Sequence, residues 1–139
     1  MSIWKQAATV DALNAHSANT ATSHLGIEFT EIGVDFLRAR VPVDARTRQP
    51  FGLLHGGVSV VLAETLGSVG AHLAAEPGSR CVGLEVNANH LRSATQGWVT
   101  GTARPLHIGR STQVWQIDLV DDAGRATCTS RITMAVLAP

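Results

Sequence analysis

From Val58 to Ala75 the chain carries no proline and one formally charged side chain, Glu64, before Glu76-Pro77-Gly78 closes the run. A stretch that long and that apolar reads as a helix. Because it is apolar nearly all round, it is expected to be buried over most of its circumference. The rest of the chain must then supply a wall around it. Glu64 is anomalous in that setting, since a lone carboxylate inside a buried helix is costly without a partner or a task. Ser68 follows it by one turn on the same face. Upstream, Gln49-Pro50-Phe51-Gly52-Leu53-Leu54-His55-Gly56-Gly57 is a Pro/Gly-marked loop ending in a glycine pair. The pair lets other groups approach the backbone closely. The first amides of the helix behind it are free to polarise a carbonyl or hold an anion. Loop donors, a helix N-terminus and an acid together suit acyl chemistry.

At 139 residues the chain is long enough for a real core and reads as one domain over 1–139. Eleven basic residues balance eleven acidic ones, so no bulk attraction to nucleic acid is expected. The balance is uneven locally: Val86 to Ile117 holds no acid, but it holds Arg92, Arg104, Arg110, His90 and His107. Two cysteines, Cys81 and Cys128, are too few for a disulfide framework or a zinc site, and the isolated histidines disfavour any metal. The first residues show no apolar core with a cleavage signal. The long apolar run is interrupted by Ser59, Glu64, Ser68 and glycines, which argues against a membrane span. A cytoplasmic protein with neither nucleic-acid nor membrane partners is the expectation.

The chain opens with a short helix over 9–15, with Thr9 as its candidate cap, and a polar loop from Asn19 to Ser23 with room for one helical turn. From Gly26 the period becomes two. Ile27, Phe29 and Glu31 alternate with Glu28, Thr30 and Ile32, and Gly33-Val34-Asp35 turns the chain. In the next strand, 36–43, Leu37, Ala39 and Val41 share one face and Arg38 and Arg40 the other. After the central helix come four more strands, over 81–91, 98–108, 111–120 and 125–137, with turns at Gly109-Arg110 and Asp121–Gly124. About six strands and one helix apolar on nearly every side pack most economically as an antiparallel sheet wrapped around that helix, an α+β architecture.

This order of elements, with the 49–57 loop and Glu64 and Ser68 behind it, resembles the hotdog-fold acyl-CoA thioesterases. Val82-Gly83-Leu84-Glu85-Val86-Asn87-Ala88-Asn89-His90 and Val114-Trp115-Gln116-Ile117 match the bacterial subgroup that acts on aromatic acyl-CoA or acyl-carrier thioesters, including enzymes of menaquinone and enterobactin biosynthesis. The resemblance covers nearly the whole chain. It implies that Glu64 either attacks the thioester, forming a mixed anhydride, or activates water as a general base. It implies that Gly56 polarises the thioester oxygen through its amide and that His55 orients the carbonyl or supports the oxyanion hole. It further implies that Gln49 orients the thioester or the attacking water, and that His90 lies near an acyl ring. Val82 and Gly83, in the matched β-strand segment, join the substrate-binding set.

Each residue also has a plainer reading. Glu64 can be a structural acid paired with an arginine, Gly56 a glycine needed for the turn, and His55 a capping histidine. Gln49 can hold its own loop, Ser68 can bond back to its own turn, and His90 can be an ordinary strand-end histidine. Phosphates of coenzyme A need cations or amides, and Arg92 and Arg110 with Ser111 and Thr112 are the available donors; a solvated arginine face is the plainer alternative. No separate cofactor is expected, coenzyme A being part of the substrate.

Two other functions fit the same fold. A dehydratase acting on a hydroxyacyl thioester would want a catalytic His-Asp pair, which Glu64 in the helix does not supply. A non-catalytic acyl-thioester binding module would be expected to lack the acid. A single sheet leaves two edge strands exposed to mispairing, so a dimer joined edge to edge, or a tetramer of two dimers, is expected. The resemblance places the active site across the dimer interface.

Overall fold

Period-two sequences build the wall that the apolar helix needs. A computed structural model describes residues 1–139. Its elements are α1 (Val10–His16), α2 (Ala21–His24), β1 (Glu28–Ile32), β2 (Leu37–Pro42), α3 (Gly56–Ala74), β3 (Arg80–His90), β4 (Trp98–Ile108), β5 (Thr112–Val120) and β6 (Ala126–Leu137). All six strands form one antiparallel sheet in the order β1-β2-β4-β5-β6-β3. α3 lies across one face of it, packed against β2 to β6. This is the α+β hotdog architecture that the sequence resembles. In β2, Leu37, Ala39 and Val41 are wholly buried, and in β5 so are Trp115, Ile117 and Leu119. The outward Arg38 and Arg40 pair across the sheet with Glu31 and Glu28.

The alternation expected for β1 holds only as far as Phe29. Phe29 pairs with Ala39 but Glu31 pairs with Arg38, leaving Thr30 as the extra residue of a bulge. That insertion turns Glu31 away from the face of Ile27 and Phe29, so it pairs with Arg38 instead of facing the core.

The burial expected all round α3 is also corrected. Leu62, Ala63, Leu66, Gly67, Gly70, Ala71 and Ala74 are buried, but Glu64 and His72 are exposed, and Val58, Val61 and Val69 are half-covered. One sheet covers one side of a helix, and β3 is an edge strand, so the side that carries Glu64 is left open within the chain. Within the single chain Glu64 is therefore not a buried acid. Gly67 and Gly70 bring the helix close to the sheet. A Cβ at Gly70 would lie 3.0 Å from the Trp115 ring, and one at Gly67 would overlap Ile132.

The two sheet edges differ. Asn14 of α1 covers β1: its amide donates to the Phe29 carbonyl at 3.0 Å and its oxygen accepts from the Phe29 N–H at 2.7 Å. The outer edge of β3 has no such cover, and its Val82 and Leu84 are 45% and 62% exposed.

Candidate active site

An α-helix begins with amides that have no partner inside it. His55 is the cap of α3, and its Nδ1 accepts from the Gly57 N–H at 2.9 Å. The side chain is otherwise exposed. His55 is thus the capping histidine of the plainer reading. The amides of Val58 and Ser59 both turn back to the His55 carbonyl, at 2.9 and 3.2 Å. The Gly56 N–H is left without an acceptor. The His90 ring lies over the same glycine: a Cβ there would sit 3.1 Å from its Nε2. The His90 ring of β3 thus packs directly on the helix start, with no side chain from Gly56 between them.

Beside this point is a cavity of about 300 Å³ lined by Gln49, Leu54, Gly56, Ser59, His90 and Thr127, among others. Gln49 organises its own loop, its Oε1 accepting from the Phe51 and Leu53 amides at 2.6 and 3.1 Å. Its NH2 group makes no bond within the chain and is available to the cavity, so the structural and the substrate-orienting readings of Gln49 coexist. The loop is tied to the opposite wall where the Leu54 N–H donates to the Ala94 carbonyl at 2.8 Å.

Glu64 stands apart from this cluster. Its carboxylate lies over Gly83, where a Cβ would sit 3.4 Å from Oε1, with Val82 exposed next along β3. No cation pairs with it, which removes the arginine-paired reading. Ser68, one turn further on, makes a single long contact of 3.9 Å to the Met134 sulfur. Glu64 lies two turns beyond Gly56, about 12 Å along the helix axis at ~1.5 Å per residue. Within one chain the free amide and the acid do not meet at one carbonyl.

The arginines are dispersed. Arg92 lines the Gly56 cavity. Arg104 pairs with Asp35 at 3.2 Å and lies over the Phe36 ring. Arg110 lies at the other end of α3, lining a second cavity with Lys5, Glu76 and Gln113; Ser111 and Thr112 follow it in the chain, exposed and outside that lining. The acid-free stretch is therefore not one basic patch. Neither thiol is a ready nucleophile, because burial pushes both Cys81 and Cys128 up from the ordinary range, with Asp118 adding to it at Cys128. Sequence reasoning did not assign Leu54, Ser59 or Thr127 to the site. Ser59 was findable as a hydroxyl in the first turn of an apolar helix; Thr127, from the far end of the chain, carried no local signal.

The thioesterase superfamily model matches residues 51–128 of the chain. The 1,4-dihydroxy-2-naphthoyl-CoA hydrolase of Escherichia coli is 54% identical over 135 residues, spanning 97% of this chain and 99% of that one. The proofreading thioesterase EntH of Cronobacter turicensis is 53% identical, over 97% and 98% of the two chains. A crystal structure of a thioesterase from Haemophilus influenzae superposes with a TM-score of 0.96 at 50% identity, covering 97% of this chain and 94% of its own.

Proposed function

The chain belongs to the thioesterase superfamily, and from that premise we propose that this thioester hydrolase acts on an aromatic acyl group carried by coenzyme A or by an acyl-carrier protein. The observation that carries the reading is the unpaired N–H of Gly56, which lines a cavity together with Gln49 and His90. The thioester carbonyl accepts from Gly56, whose donor strengthens as the oxygen becomes an oxyanion. The Gln49 amide steadies the carbonyl or the water, and His90 flanks the acyl ring. Glu64 supplies the remaining chemistry in one of two ways. It attacks the carbonyl carbon, expelling the thiolate and leaving an anhydride for water to open, or it takes a proton from water as that water attacks. Ser68 positions the water or the acyl group near Glu64. The name of one relative, a hydrolase of 1,4-dihydroxy-2-naphthoyl-CoA, supports an aryl acyl group.

The ~12 Å between Gly56 and Glu64 supports a site completed by a second copy. A two-fold axis beside the open edge of β3 would set two α3 helices antiparallel, bringing Glu64 of one copy opposite Gly56 of the other. Val82 and Leu84, exposed on that edge, are suited to being covered there. A dimer of this kind has two equivalent sites, and a pair of dimers is the natural next assembly. Arg92 reaches the coenzyme A side of the cavity from its own chain, whereas Arg110, Ser111 and Thr112 meet that ligand only across a chain boundary.

The test is release of free thiol from a panel of benzoyl, hydroxybenzoyl, hydroxynaphthoyl and straight-chain acyl thioesters, with sedimentation at the assay concentration. Aryl thioesters are expected to be turned over fastest, by a dimer or larger species. A fully active monomer, or a preference for straight chains, would overturn the reading.

A further inference from the structure

The cavity at the C-terminal end of α3 measures about 350 Å³, at the small end of the range for ligand sites. Its wall is chiefly apolar, built from Ala74, Ile108, Val136 and Ala138. Three formal charges edge it. Lys5 and Glu76 cancel in an ion pair at 2.7 Å, whereas Arg110 is exposed and pairs with no acid. The lining therefore keeps one uncompensated positive charge. A helix C-terminus ordinarily repels an anion. Here the carbonyls of Ala71, His72 and Leu73 are already occupied by donors from Gln113, Gln6 and Lys5, so none of the three faces a ligand bare. Ser79 supplies a second, independent observation. It is 6% exposed, lines the same cavity, and its hydroxyl makes no hydrogen bond within the chain. Buried hydroxyls almost always find a partner. This one is not sealed in: the one fully enclosed oxygen without a partner belongs to Thr127, so Ser79 Oγ keeps open surface on the cavity it lines. Ser79 leads into β3 and Arg110 towards β5, the strands on either side of β6. The two free donors thus flank the apolar floor that Val136 and Ala138 provide.

We propose that this cavity is a binding site for a small monocarboxylate with a compact apolar body, the class to which the acid released by thioester hydrolysis belongs. The carboxylate pairs with the Arg110 guanidinium and accepts from Ser79 Oγ, and the apolar body lies on the wall between them. One unpaired cation matches one negative charge, and an apolar floor gives a nucleotide phosphate little to rest on. Free acid held here leaves the Gly56 cavity, at the opposite end of the helix, open to the next thioester. The site stands on its own lining; only the naming of the hydrolysis product as its ligand rests on the hydrolase reading.

The experiment follows amide correlation spectra by NMR while benzoate, its neutral isostere benzamide, or adenosine 3′,5′-bisphosphate is titrated into the native protein, Arg110→Gln and Ser79→Ala. The Gln113 side-chain amide and the backbone amides of Ala75 and Val136 report on this cavity, and those of Gly56 and His90 on the other. Benzoate is expected to move the first set saturably in the native protein, and benzamide to bind there at least about tenfold more weakly. Arg110→Gln should weaken benzoate about tenfold or more, the scale of a bond to a charged group, and Ser79→Ala about threefold or more. Spectra of the unliganded variants, unchanged away from the cavity, show that they are folded. The proposal is overturned if benzoate moves only Gly56 and His90, if benzamide binds as well as benzoate, or if either variant binds benzoate as the native protein does. It is also overturned if the bisphosphate displaces benzoate from these residues at the lower concentration, which would make this a nucleotide site. Failure of thiol release across the substrate panel would instead remove the hydrolase reading, and the link to its product, while leaving these affinities legible.

Discussion

At the C-terminal end of α3 the last carbonyls are taken up by the rest of the chain, whereas at its N-terminal end donors are left over. The amides of Lys5 and Gln6 both donate to the Leu73 carbonyl, and the Gln6 side chain donates to those of His72 and Ala75. Gln113 donates to the Ala71 carbonyl at 3.1 Å and accepts from the Trp115 indole at 2.8 Å. Trp4 stacks on Trp115 at 5.9 Å between ring centres. About five turns away, at the start of α3, the Gly56 N–H has no partner, nor does the nearby Thr127 hydroxyl, and Gln49 has a free NH2 group. Helix ends need partners for the same reason at both ends. The two ends therefore differ in kind: one is closed by the fold and the other leaves donors unpaired beside a cavity.

The largest expected effect comes from removing chemistry at the open half. Glu64→Gln should lower kcat by about a thousandfold or more, at least the loss seen when one oxyanion donor is deleted. An amide can neither attack the thioester nor accept water's proton. Thermal stability and oligomeric state should not fall, because no partner of Glu64 exists within the chain. Mixing this variant with an inactive Gly56→Ala variant sharpens the comparison. The added Cβ would crowd His90, at 3.1 Å. If each site draws Gly56 from one copy and Glu64 from the other, a mixed dimer contains one site with both residues intact, and activity should reappear after subunit exchange. Absence of recovery in proven mixed dimers would mean that both residues act within one chain.

At the closed half the order reverses, with stability lost and chemistry spared. Trp115 is wholly buried between Trp4 and Gly70, and Trp115→Ala should cost about 3–5 kcal/mol. Denaturant melts check the stability, and kcat per folded molecule, measured well below the transition, should stay within about threefold of the native value on the usual independence of distant sites. A large fall in that kcat would show that the two ends are coupled.

Most of this division was legible in the sequence at the open end and hardly at all at the closed one. The glycine pair after His55, the lone acid in an apolar helix and the period-two strands are local signals, so the loop, α3 and the sheet could be read directly. The strand bulges could not, since a single inserted residue leaves no compositional trace; this hid the outward turn of Glu31 and the inward turn of Thr127. Glu64 was misread as buried because apolarity all round a helix does not say which side its own chain will cover. Val58, Val61 and Val69 are apolar yet only half-covered, which suits a partner as well as a core. Arg92 and Arg110, close in sequence, lie at opposite ends of α3 because β4 and its turn intervene.

The finest contrast sets two buried polar side chains against each other. Gln113 is 1% exposed and both of its bonds are internal. Gln113→Leu would strand the Ala71 carbonyl and the Trp115 N–H together, at a cost of about 2 kcal/mol or more. Thr127 is nearly as buried, yet its hydroxyl bonds to nothing. Thr127→Val keeps the branched shape that a strand favours and removes only the unused oxygen, so the unliganded protein should melt at the native temperature or slightly above it. The two variants are compared in the same buffer without ligand. Equal destabilisation by both would mean that the Thr127 hydroxyl is held by a structural water, and the open end of the helix would then be as closed as the other. A lower melting point for Gln113→Leu alone would show that the orphaned oxygen contributes nothing to folding, so that burial by itself does not make a polar side chain structural.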